Sequence, residues 1–217
     1  MQGIKSLFGA DDFTIGLNAL DNEIGKDIWL SPYTPITLLS AGGFLAVTLL
    51  RNRQATGDLH YLLEPQWAYD NDVKKPLHEA IKKAGRHVGF EDNWANEDMA
   101  FFVPKRNREY LFKEALEQNI VLWEGDHFQV LAVPLEWALE RKLRRVHHRM
   151  QNDKRYSDVD DALALLRYLK EKKGSPLDQN YIRTLNMCST EAPPDQQTMG
   201  DIAAAYQKKL CENSRYS

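Results

Sequence analysis

The feature that most constrains the fold of this 217-residue chain is a break inside a single apolar stretch. Residues 36–50 read ITLLSAGGFLAVTLL. Ile36–Ala41 is short, apolar and β-branched, which suits a buried strand. Gly42-Gly43 ends the extended run, and FLAVTLLRNR after it suits a helix. A buried strand that turns directly into a helix belongs in a layered α/β unit.

The flanking segments extend that pattern. Residues 11–29 place Phe13, Ile15, Leu17, Leu20, Ile24 and Ile28 at near-helical spacing, and the loop Ser31–Pro35 stops them. Gly57–Leu63 reads as a second strand, 73–88 as a basic amphipathic helix, and Met99–Val103 (MAFFV) as a third strand. A helix is expected over 108–118, then a hairpin of 120–124 with 128–133 around Gly125-Asp126. From Pro134 onward the sequence reads as helices over 134–149, 157–172, 176–187 and 194–212. The expectation is an α/β unit over 1–133, a small mixed sheet with helices, and a helical region over 134–217 packed on it.

Composition excludes some function classes. A net charge of −3 and a pI near 6.1 give no global attraction to nucleic acid, so a polyanion site has to be a local patch. Cys188 and Cys211 have no metal-ligand spacing, and a reduced setting is the simpler reading. MQGIKSLFGADDF lacks an apolar core of signal-peptide length, and Phe44–Leu50 is too short to span a bilayer. The expected location is cytoplasmic or nuclear, neither secreted nor in a membrane.

Gly42-Gly43 at a strand–helix junction offers backbone N–H groups with no Cβ in the way, an arrangement suited to phosphate. Asp58, on the next strand, is of the type that holds Mg²⁺ bridging such phosphates. A glycine pair and one acid also make an ordinary tight turn and a loop cap. Asp58 and His60, two apart on a strand, are expected to share a face, with Leu59 and Tyr61 on the other.

The order of these segments resembles the nucleotidyltransferase-fold superfamily. SAGGFLAV followed by RNRQATGDLH is similar to its Gly-Gly turn and Asp-x-Asp strand. EWALERKLRR, with Lys142, and RYSDVDDALALL, with Asp158 and Asp161, resemble two helices of the branch containing AbiE-type toxin nucleotidyltransferases and fungal relatives. The resemblance spans about residues 31–170. It implies a nucleotide cradled by Gly42, Gly43, Arg53, Thr56, Lys142, Asp158 and Asp161. It also implies a divalent metal, Mg²⁺ or Mn²⁺, at Asp58 and His60, with Asp58, His60 and Lys142 as catalytic positions. His60 stands where the second carboxylate belongs, and imidazole suits softer ions than Mg²⁺. The strand FQVLAV, expected to carry a third acid, offers Gln129, with Glu124 and Asp98 as displaced substitutes.

Three functions follow from the resemblance: transfer of a nucleotidyl group from an NTP to protein, RNA or a small molecule; non-catalytic binding of a nucleotide or partner; or small-molecule chemistry with His60 as acid/base beside Asp58. Away from these residues, Arg144, Arg145, His147, His148 and Arg149 form a basic helix end that suits a phosphate backbone or, equally, the helix dipole. Asp158, Asp160 and Asp161 read as acids near a helix start, and Lys142 as a residue of a charged face that is equally a solvated residue or a ligand. Trp94 reads as the aromatic of a polar loop that covers a pocket or, more commonly, is buried at the rim for packing.

Overall fold

The computed structural model describes residues 4–148, 153–187, 189 and 191–213; Arg149 and Cys188 lie outside them. The fold is mixed α/β and divides into two compact units, Met1–Pro134 and Leu135–Ser217.

The first unit holds α1 (Ala10–Lys26), β1 (Ile36–Ser40), α2 (Gly42–Thr48), β2 (Leu59–Leu63), α3 (Asn71–Val88), β3 (Ala95–Asn96), α4 (Lys105–Gln118), β4 (Val121–Glu124) and β5 (Phe128–Ala132). The strands form one sheet in the order β3-β2-β1-β5-β4. β1 is buried along its whole length at the centre, antiparallel to β2 and parallel to β5. That explains its mainly apolar run, since a central strand faces solvent on neither side; of its two polar residues, both buried, Ser40 donates its hydroxyl to the His60 carbonyl at 2.8 Å.

One face of the sheet packs Ile36, Leu38, Leu59, Tyr61, Leu63, Phe128 and Val130 against Phe13, Leu17, Leu20 and Ile24 of α1 and Val73, Leu77 and Ile81 of α3. Both helices are locally specified. The Asp12 carboxylate accepts from the Gly9 N–H at 2.8 Å, and Asp70 caps α3 by accepting from the Asp72 N–H at 2.8 Å. Gly89 closes α3 in the left-handed conformation.

Of the two readings of Trp94, the structure shows burial for packing. Trp94 is fully buried, its Nε1 donating to the Ile81 carbonyl at 3.0 Å. Its ring sits between Gly16 of α1 and Gly85 of α3, where a Cβ would come within 3.0 Å and 2.7 Å of it. The polar neighbours Glu91, Asp92 and Asn93 conceal this in sequence, because they stay at the surface while the indole goes inward.

Met99–Val103 is not a strand either. Residues Asp98–Phe102 form a 3₁₀ turn. The Asn96 side chain accepts from the Asp98 N–H at 3.1 Å, an Asx turn that ends β3 after two residues. Met99 and Val103 face inward, while Phe101 and Phe102 face solvent.

The second unit is helical: α5 (Leu135–His148), α6 (Asp153–Lys173), α7 (Gln179–Arg183) and α8 (Gln196–Asn213). α7 is shorter than its sequence suggests. Buried side chains of α5 take the backbone groups that would extend it: Arg144 Nη2 donates to the Leu185 carbonyl at 2.9 Å, and Glu140 accepts from the Met187 N–H.

Candidate functional site

β2 emerges from the loop after α2 with Asp58 just before it and His60 as its second residue. Leu59 and Tyr61 point into the core, which sends Asp58 and His60 to the opposite face. His60 Nε2 and Asp58 Oδ2 are hydrogen-bonded at 2.8 Å, with side chains 40% and 31% exposed. Asn96, which pairs with His60 in the β2–β3 register, donates from Nδ2 to the same Asp58 oxygen at 3.2 Å.

The electrostatics follow from that contact. The hydrogen bond to Asp58 raises the His60 pKa above the usual 6.5, assisted by the Asp58 and Asp98 charges and opposed by burial. Burial pushes Asp58 up, but the His60 hydrogen bond and charge, with the Asn96 amide, outweigh it and hold the carboxyl below the usual 3.8. The pair therefore favours carboxylate and imidazolium. His60 Nδ1 has no hydrogen-bond partner among the described residues and is available to donate.

The Gly42-Gly43 turn lies at the same end of the sheet. β1 and β2 pair Ser40 with Tyr61, so the next residue, Ala41, is opposite His60. The glycines do different work. Gly42 has φ +68°, the left-handed backbone that favours glycine, with nothing within 4 Å of where a Cβ would stand. Gly43 is needed for contact, since a Cβ there would collide with the Thr56 side chain. Thr56 therefore covers the turn at Gly43, held by paired backbone hydrogen bonds with Phe8 at 2.8 and 3.0 Å. Arg53 is half-buried in the same loop.

β5 supplies no acid to this end. Gln129 pairs with Thr37, to which its amide donates at 3.2 Å, and Glu124 pairs with Gln129. Continuing the β1–β5 register places Val133, fully buried, beside Ala41 and so level with His60. Gln129 is four residues further along, about 13 Å away. Of the displaced acids, Asp98 acts on His60 through its charge. Among the described residues no group of three His, Cys, Asp or Glu side chains is disposed to hold a metal ion. Asp58 and His60 hold each other, and this donor set does not fit a protein-held Mg²⁺.

Lys142, Asp158 and Asp161 gather within the second unit. Lys142 is 7% exposed, and its ammonium is bonded to Asp158 Oδ1 at 2.9 Å and to Asp161. Arg145, one turn along α5, donates to both Asp158 oxygens at 3.1 and 3.2 Å. Burial raises the Asp158 pKa, and the Lys142 and Arg145 charges outweigh it, so the carboxyl titrates below its usual 3.8. Lys142 is thus no part of a solvated charged face. α6 begins at Asp153, so Asp158 and Asp161 lie in its second and third turns rather than at its start. Arg144 is buried as well, paired with Glu140 at 2.8 Å, which removes it from any exposed basic patch.

Sequence reasoning missed Asn96. The only signal was its place two residues beyond an aromatic in a short polar stretch, and its meaning depended on β3 pairing with β2.

No described helix is long and apolar enough to cross a membrane. No curated protein and no solved structure matches the chain. The family described as Domain of unknown function (DUF7582) matches over residues 38–213, a span that includes Gly42, Asp58, His60, Asn96 and the Lys142 cluster, and the chain belongs to that family.

Proposed function

We propose that the chain binds a nucleotide on the face of β2 that carries Asp58 and His60, as a relative of the nucleotidyltransferases whose metal-held phosphate contact has become a direct one. The observation that carries this reading is the 2.8 Å Asp58–His60 hydrogen bond, backed by Asn96, in a partly exposed position beside the Gly42 turn. An imidazolium held by one carboxylate keeps Nδ1–H free to donate to a phosphate oxygen, a charge-assisted bond. Asp58 orients the ring and favours its charged form. Asn96 fixes Asp58. In this arrangement a phosphate meets a protein cation where the resemblance implies a metal.

Calorimetry with ATP, GTP, CTP and UTP in EDTA, in Mg²⁺ and in Mn²⁺ tests this. Binding is expected to persist in EDTA, to fade as pH rises through the elevated His60 pKa, and to weaken about tenfold in His60→Ala, the value of one charged hydrogen bond. Labelled-NTP assays are expected to show feeble transfer by the wild type. Robust Mg²⁺-dependent transfer that His60→Asp reduces would overturn the reading and make His60 a chosen residue of metal-assisted chemistry. An absence of nucleotide binding under all three conditions would leave Asp58–His60 as an acid/base pair for another substrate.

A further inference from the structure

A hollow lies within the helical unit between α6, α7 and α8. Its volume is about 250 Å³ and its floor is apolar, made by Leu166, Ile182, Met199 and Ile202. At the edge it meets a neighbouring hollow of about 340 Å³, and Lys170 and Tyr206 line both. Two cations stand there in different states. The Arg167 guanidinium is paired with Glu171 at 2.8 Å. The Lys170 ammonium has no ion pair or hydrogen bond among the described residues.

We propose that this hollow binds a single-chain amphiphilic carboxylate, its alkyl tail on the Leu166–Ile182–Ile202 floor and its head group on Lys170. The apolar part alone, about 250 Å³, lies just below the roughly 300–1,000 Å³ of pockets for drug-sized ligands and suits one alkyl chain. The charge argues for a monoanion, because Glu171 neutralises Arg167 and leaves one cation at the rim. A dianionic phosphate would find one cation for two charges. Each buried methylene favours binding by the ordinary hydrophobic increment, so affinity rises with chain length until the floor is covered.

The test titrates the full chain with decanoate below its micelle concentration, with decanol and decyltrimethylammonium as controls. One saturating decanoate site is expected, with decyltrimethylammonium bound at least tenfold more weakly. Lys170→Glu should weaken decanoate about tenfold and leave decanol within twofold. Ala203 lines the hollow from an exposed position on α8, so Ala203→Trp should block both ligands without disturbing the core. Circular dichroism and the melting temperature of each variant show that it is folded. The proposal fails if the wild type has no saturable decanoate site, if decanoate binding is indifferent to Lys170→Glu, or if Ala203→Trp binds as the wild type does.

Discussion

At Asp58 and His60 two ordinary side chains acquire a shared state from one hydrogen bond. Period-two alternation is enough to place both on one face of β2, and to that extent the pair was legible in the sequence. Its partner Asn96 was not, because Asn96 reaches Asp58 across 38 residues through strand pairing that no local pattern announces. That β5 brings no acid level with His60 emerged only from the register, which places Val133 there. Asp58→Asn should lower the His60 pKa back towards its ordinary 6.5, read from the imidazole resonances in an NMR titration. Both side chains are about one-third exposed, so the stability cost should stay below ~1 kcal/mol in urea unfolding. An unchanged His60 titration would mean that the two groups do not share a proton environment in solution.

At the scale of elements, the strand–glycine–helix succession, the β4–β5 hairpin and the long amphipathic helices were readable because each is specified by local periodicity and turn chemistry. Elements decided by tertiary competition were not. MAFFV has strand composition, yet an Asx turn from Asn96 ends the strand first. α7 stops early because Glu140 and Arg144 bind the backbone after it. α5 and α6 meet through buried charges, and there Lys142→Met removes the cation that two carboxylates share. Equilibrium urea unfolding at pH 7 should show a loss of about 3–5 kcal/mol, the usual cost of breaking a buried pair from one side. A loss under 1 kcal/mol would place Lys142 outside the structural framework of its unit. Gly85→Val should cost about 1–3 kcal/mol by driving a side chain into Trp94, measured in the same way.

For the whole molecule, the shifted groups define a pH window. His60 has a raised pKa, so its stabilisation is complete below about 6.5 and is lost as pH rises through the elevated value. Asp58 and Asp158 have lowered pKa values, so theirs is present above the ordinary 3.8 and is lost as pH falls through the depressed ones. Scanning calorimetry should therefore find the highest melting temperature between about pH 4 and 6.5, with an acid limb governed by the aspartates and a shallower alkaline limb that His60→Ala removes. A melting temperature that keeps rising from pH 5 to 8 would contradict this assignment. The position of Trp94 carries the last consequence. β3 is a two-residue edge strand, the kind of segment expected to fray, yet its preceding indole is clamped between α1 and α3 and its carbonyl accepts from the Leu59 N–H at 2.8 Å. The Leu59 amide should then exchange with deuterium only when the whole first unit opens, at the pace of its slowest core protons. Substitution of Asp58 or His60 can leave the scaffold standing, whereas loosening the clamp displaces both side chains along with the scaffold.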